Sequence, residues 1–177
     1  MCKRCRRGNL ECLKYLHEEV KAPWDWRTAT WAASNGHLHI LEYLVERNYD
    51  HFSESACWRA AKRGHLDCLK YLHEVAKADW DEDTANAAAE NGHLDILEYL
   101  VERKYDEYDE DACWYAAKYG HLDCLKYLHE VAKAPWSYRA VEAAYENNHR
   151  ECLQYLLDND CPLPWRWRYE DGTLYTN

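Results

Sequence analysis

An all-α solenoid of about six helix-turn-helix repeats, closed by a small C-terminal β-hairpin, is the fold this sequence predicts. Three observations carry it. Gly8, Gly36, Gly64, Gly92 and Gly120 stand 28 residues apart and are five of the chain's six glycines. The run from Gly64 to Leu72 returns unchanged from Gly120 to Leu128. Within each unit the leucines recur at helical rather than strand spacing. A period of this size marks stacked supersecondary units, none of which buries its apolar face alone.

The elements follow in chain order. Residues 1–7 align with the second half of a helix, but Arg4 and Cys5 stand where later repeats have Ala-Ala. The chain is therefore expected to begin inside a repeat, as a polar cap or a truncation. Counting each glycine as position 1, leucines at positions 3, 6 and 9 (Leu66, Leu69 and Leu72, for example) form one apolar helical face. Position 4 is Glu11, Asp67, Asp95, Asp123 or Glu151, with His39 the exception, which puts an anion at the positive helix start. Lys21, Arg47, Lys77, Arg103 and Lys133 at positions 12 to 14 suit the negative end.

A second helix, expected to be shorter, precedes each glycine. Its N-caps at position 18 are Asp25, Ser53, Asp81, Asp109 and Ser137, whose side-chain oxygens can accept an orphan backbone N–H. Ala32-Ala33, Ala60-Ala61, Ala88-Ala89 and Ala116-Ala117 allow neighbouring helices to approach closely. The glycine ends this helix in a left-handed conformation, and Asn148, the next most tolerant residue type, takes its place in the last phase. Repeat phases thus begin at 8, 36, 64, 92, 120 and 148, in one domain spanning 1–177.

Beyond Leu157 the period dissolves into a cap over 158–177. Trp165, Trp167 and Tyr169 alternate with Arg166, Arg168 and Glu170 before Asp171-Gly172, and Thr173 to Thr176 follow as a returning strand. The aromatic side of this hairpin is expected to cover the end of the stack. A finer alternation, Cys68 to Glu74 against Ile96 to Glu102, makes a 56-residue pair the duplication unit and stripes the outer face with Lys and Glu.

The constellation Ala-Ala-x-x-Gly-His-Leu-x-x-Leu-x-Tyr-Leu, recurring in phase from about residue 8 to 157, resembles the ankyrin repeat. Two departures stand out. The family's Thr-Pro-Leu-His opening is replaced by Thr84-Ala85-Asn86-Ala87 and its equivalents, and the unit is shorter than the usual length of about 33 residues. The missing residues are expected to come from the loop, which removes the family's projecting β-hairpins. A leucine-rich repeat needs Leu-x-Leu on a strand, and this chain has Leu-x-x-Leu-x-x-Leu with helix caps.

Composition narrows the function. Hydrophobic residues make up 47% and aromatics 14%, too apolar for a disordered chain. A net charge of −10 disfavours general nucleic-acid or anionic-membrane affinity. No apolar stretch reaches the roughly 18 residues of a membrane span. The basic start lacks the apolar core of a secretory signal.

Cys12, Cys68, Cys124 and Cys152 share one repeat position with Ile40 and Ile96; Cys57 and Cys113 share another with Ala29, Ala85 and Val141. Cysteines that trade with Ile, Ala or Val act as small hydrophobes, and free thiols imply a reducing, intracellular compartment: the cytoplasm, with the nucleus as the alternative. Cys2-x-x-Cys5 with Cys12 has no second pair at zinc-finger distance, so no metal is expected. Phosphate loops, nucleophile elbows and His-Glu-x-x-His are missing from the sequence, so no catalytic residues, cofactor or enzyme activity are expected. His37, His65, His93, His121 and His149 fall one per turn and read as structural. His17, His73 and His129 read as half-buried packing, and Trp24, Phe52, Trp80, Tyr108 and Trp136 as an aromatic ladder between loops.

The resemblance implies that the helix before each glycine lines a concave groove. Its outer positions vary while the frame does not. Arg27, Trp31, Trp58, Arg59, Lys62, Arg63, Trp114, Tyr115, Tyr119 and Tyr138 lie there, and Trp, Tyr and Arg are the types that anchor protein interfaces. The expected function is a non-catalytic scaffold holding another protein on this surface. The alternative is nucleic-acid or polyanion binding through the basic start and the Arg59 to Arg63 patch. End-to-end self-association of similar repeats stays open.

Overall fold

The computed structural model describes residues 8–176. Eleven α-helices and two strands are present among them: α1 (Leu10–Glu18), α2 (Trp26–Ser34), α3 (Leu38–Glu46), α4 (Glu54–Lys62), α5 (Leu66–Glu74), α6 (Glu82–Asn91), α7 (Leu94–Glu102), α8 (Glu110–Tyr119), α9 (Leu122–Tyr127), α10 (Tyr138–Glu146), α11 (Arg150–Asp158), β1 (Arg168–Glu170) and β2 (Thr173–Tyr175). The chain divides into two compact units, one ending at Thr84 and the other beginning at Ala85, so the division falls within α6. In the first unit α2 packs on α3 and α4, and α5 on α3 and α4. In the second, α8 packs on α9 and α10, while α11 packs on α9 and α10. The predicted all-α helix-turn-helix repeat with a C-terminal hairpin is the observed fold.

One sequence expectation on helix length is corrected. The helices before the glycines run nine or ten residues, and α3, α5 and α7 after them run nine, so neither class is the shorter. The period of 28 leaves room for two near-equal helices because the loops are short. Asp25 and Asp109 cap α2 and α8 by accepting the N–H of Arg27 and Asp111, and Asp81 accepts that of Thr84. Ser53 and Ser137 hold the extended cap backbone without a side-chain cap bond.

The buried face of the helices after the glycines is centred on positions 5, 6 and 9. Ile40, Leu41 and Leu44 in α3, and Cys68, Leu69 and Leu72 in α5, are all at most 1% exposed. Leucines at position 3 (Leu38, Leu66, Leu94) are only half-buried, so the core is rotated toward the Cys/Ile slot. That rotation explains why cysteine and isoleucine interchange. Burial, reinforced by nearby carboxylates, pushes the thiols of Cys57 and Cys124 up to about 12 and those of Cys68 and Cys152 to about 11. Burial with its neighbour Cys161 does the same for Cys113, to about 12, and burial alone for Cys161. All six are free and buried. Alkylation with iodoacetamide should therefore leave these six unmodified in the folded protein and reach all of them in urea. Peptide mapping that finds any of them alkylated under native conditions would overturn this packing.

The 56-residue alternation is a change in how the loops close. In the repeats beginning at 8, 64 and 120 the left-handed residue is Lys21, Lys77 or Lys133; in those beginning at 36, 92 and 148 it comes one position earlier, at Asn48, Lys104 or Asp160. The extra residue of the first class is absorbed in a wider helical turn, fully π-helical over Leu128–Ala132. Both classes end on the carbonyl of the position-9 leucine, which accepts Ala22, Ala78 and Ala134 in one and Tyr49, Tyr105 and Cys161 in the other.

Aromatic partners change with the class. His17, His73 and His129 stack face to face on Trp24, Trp80 and Trp136 at 3.6–3.7 Å between centroids. In the other class Tyr49 and Tyr105 meet Phe52 and Tyr108 edge to face at 5.1 and 4.8 Å. Trp24 also meets Tyr43 and Tyr49 of the following repeat. These rings are packing, as expected, but mainly within their own loop, with Trp24 and Trp136 also reaching the following repeat. The only strands among the described residues are β1 and β2.

Those strands pair antiparallel, Arg168 opposite Tyr175 and Glu170 opposite Thr173, around Asp171 and Gly172, both at positive φ. The expectation that the whole aromatic series covers the repeat end is met only in part. Trp167 packs edge-on against Tyr145 of α10 at 4.9 Å, and the Tyr169 hydroxyl accepts from Gln154 of α11 at 2.9 Å. Trp165 is 81% exposed, because the strand begins at Arg168 and Trp165 lies in a preceding turn.

Candidate functional site

The candidate residues fall on two helix pairs. In the first unit, α2 carries Arg27 and Trp31, α4 carries Trp58, Arg59 and Lys62, and Arg63 is the α4 C-cap. The alanines of both helices are fully buried and turn these residues outward. Asp25, the α2 N-cap, holds Arg27 through a 2.8 Å bond from Nε, so this guanidinium is already paired. Trp31 is half-buried, its ring 5.0 Å from that of His37. The Arg59 guanidinium lies 4.7 Å and the Lys62 ammonium 5.4 Å from the centre of the half-buried Trp58 ring. Arg59 and Arg63 are exposed.

In the second unit the arrangement is more self-contained. Trp114 of α8 has Lys118 at 4.5 Å and Arg139 of α10 at 4.9 Å from its ring centre. Arg139 in turn binds Asp111 at 2.5 Å and lies 3.6 Å from Glu110, and the hydrogen bond to Asp111 raises its already high pKa. Tyr115 lies 4.6 Å from Trp114 and stacks at longer range with Tyr119. Tyr119 and Tyr138 are exposed, at 43% and 48%. Lys118 and Arg139, which the repeat phase places on the same variable outer face, complete this cluster; their signal is their register with Trp114, at i+4 and in the matching turn of the next repeat.

The position-2 histidines are structural in detail. His37 lies against Gly8 and His65 against Gly36 in the first unit, and His121 against Gly92 and His149 against Gly120 in the second. His121 Nε2 is 3.1 Å from the carbonyl oxygen of Glu90. Burial, then the charges of His39 and His65, lower the pKa of His37 and favour its neutral ring. Among the described residues no group of three His, Cys, Asp or Glu is placed to hold a metal ion. Cys2, Cys5 and the basic start, invoked for zinc or polyanion binding, lie outside the described residues. No helix among the described residues is long and apolar enough to cross a membrane.

Comparison with known proteins agrees with this architecture. The crystal structure of the human ASB11 ankyrin repeat domain superposes with a TM-score of 0.70 at 20% identity, covering 97% of this chain and 87% of that one. No curated protein matches the sequence closely enough to count as a relative. The family model described as ankyrin repeats in three copies matches residues 1–84, 31–111, 57–134 and 85–164. Ankyrin repeats are in general non-enzymatic modules that bind other proteins. On this match, the chain belongs to the ankyrin repeat family.

Proposed function

We propose that the chain is a non-catalytic scaffold that holds an acidic segment of another protein on the outward face of α2 and α4. The observation that carries the reading is the pair Arg59 and Arg63, both exposed, with the Arg59 guanidinium 4.7 Å from the centre of the Trp58 ring, in a chain of net charge −10. In so acidic a protein a local cation pair beside aromatic rings selects an anionic partner and repels other surfaces of like charge. Arg27, tied to Asp25, orients the helix start rather than reaching outward. Trp31 and Trp58 supply apolar area at little entropic cost, with Lys62 completing the basic edge. The Trp114, Tyr115, Tyr119 and Tyr138 cluster is a second contact area, more aromatic than basic. Free thiols support an intracellular, reducing setting, the cytoplasm first.

Charge reversal separates this reading from its alternatives. Arg59→Glu with Arg63→Glu changes only exposed side chains, so circular dichroism should be unchanged. Capture of the bound partner should fall by about tenfold or more. Undiminished capture would remove α4 from the binding surface. Binding of single-stranded DNA that is strong at low salt and drops steeply as salt rises would favour the polyanion reading instead.

A further inference from the structure

The C-terminal hairpin has packing residues and others that pack on nothing. Trp167, Tyr169 and Leu174 are half-buried and face the helices. Trp165, Arg166, Arg168 and Tyr175 face away and are all exposed. Trp165, at 81%, is far more exposed than Trp26 at 55%.

The turn that presents Trp165 is built at a backbone cost. Trp167 N–H donates to the Pro164 carbonyl at 3.0 Å, making Trp165 and Arg166 the two central residues of a tight turn. Arg166 sits at φ +72°, the turn position where glycine is favoured. The strained arginine holds its guanidinium 4.0 Å from the centre of the Trp165 ring. One step along, Arg168 lies across the strands from Tyr175, 5.6 Å from its ring. A turn that served only to connect would lose nothing with glycine in place of Arg166.

Beside the hairpin a cleft of about 440 Å³ opens between α10 and α11, lined by Ala144, Tyr145, Glu146, Asn148, Arg150 and Leu153. Tyr145 is the shared wall: it meets Trp167, and its hydroxyl is 3.5 Å from that of Thr176. Among the described residues no carboxylate lies within ion-pair distance of Arg150, Arg166 or Arg168. The acids nearby in sequence are Glu146, on the cleft wall, and Glu170 and Asp171 at the hairpin tip.

We propose that the outward face of the cap, Trp165 with Arg166, Arg168 and Tyr175, is a second docking surface, for an acidic, aromatic-bearing linear segment of another protein. Exposed guanidiniums beside exposed rings match carboxylates and an aromatic side chain together. Two arginines neutralise too few phosphates for useful nucleic-acid affinity in so acidic a chain. They also fall short of the clusters of about four to eight basic residues that mark lipid surfaces. Two copies would each bring a charge of −10, which opposes self-docking.

The test uses the full chain carrying Arg59→Ala and Arg63→Ala, which strips the α2–α4 face of the two cations its proposal rests on, so the two proposals fail separately. The probe is a short fluorescein-labelled peptide of alternating Glu and Tyr, followed by anisotropy. Binding should weaken about tenfold with Trp165→Ala and again with Arg166→Gly. Arg166→Gly is the decisive variant, because glycine suits the left-handed backbone and lost binding cannot then be laid to backbone strain. Failure of the peptide to bind, or binding indifferent to both variants, overturns the proposal. So does equal affinity for a single-stranded oligonucleotide, or a dimer that Trp165→Ala dissolves.

Discussion

Gly36→Ala is expected to destabilise the protein by roughly 2–4 kcal/mol, far more than an exposed turn substitution ordinarily costs. Two independent penalties meet at this position. Gly36 ends α2 at φ +69°, where an L-residue costs about 1–2 kcal/mol. An added Cβ would also stand 2.9 Å from Cε1 and Nδ1 of His65, the turn histidine of the next repeat. A double-mutant cycle separates them. In a His65→Ala background the cost of Gly36→Ala should fall to the backbone penalty alone, measured by urea denaturation. Equal costs in both backgrounds would mean that the ring contact contributes nothing. Asn148 fits the same account: at φ 60° it occupies the glycine position, and α11 is followed by the hairpin, so among the described residues no repeat histidine lies on it.

That second constraint was written in the sequence without being legible there. The period, the left-handed glycines and the cysteine slots could be read directly, because each is a local or periodic property of residue type. The approach of His65 to Gly36 joins residues 29 apart, and only the stacking of repeats brings them together. The Cys-Leu-Lys and Ile-Leu-Glu alternation was visible too, but as surface charge. Its structural content is a one-residue shift of the left-handed loop residue, with His–Trp stacks exchanged for Tyr–aromatic edges. Both solutions end on the same leucine carbonyl and both preserve 28 residues, so the period conceals the difference. Strand alternation likewise could not assign Trp165, since the alternation begins three residues before the strand does.

The binding surface was legible as a face and less so as a set of individual residues. Helical phase puts Trp58, Arg59 and Arg63 opposite the alanines, and the structure has them there, outward or half-buried. Phase does not say which charges are already spent. Arg27 is held by Asp25, and Trp114 lies between cations of its own unit, one of them anchored by Asp111. These pairings depend on side-chain directions across neighbouring helices, which residue identity leaves undetermined. They shift the weight of the first contact area onto Arg59 and Arg63.

Leu72→Ala is the other large effect expected, a loss of about 3–4 kcal/mol within the range for truncating a fully buried leucine. Leu72 is fully buried in α5, and its carbonyl accepts the loop N–H of Ala78 at 2.9 Å. The substitution keeps that backbone bond and removes only side-chain packing, so the cost is one of transfer and cavity. Because α5 packs on both α3 and α4, the urea midpoint should fall with the slope unchanged, as these helices unfold together. A shallower slope would instead show the third repeat unfolding alone and make the single repeat the unit of stability. The comparison also bears on binding. Below the transition, Leu72→Ala should retain partner capture, while Arg59→Glu with Arg63→Glu should lose it at unchanged stability. Loss of capture that followed the urea midpoint in both variants would mean that the α4 arginines act through the fold, and would place the partner elsewhere.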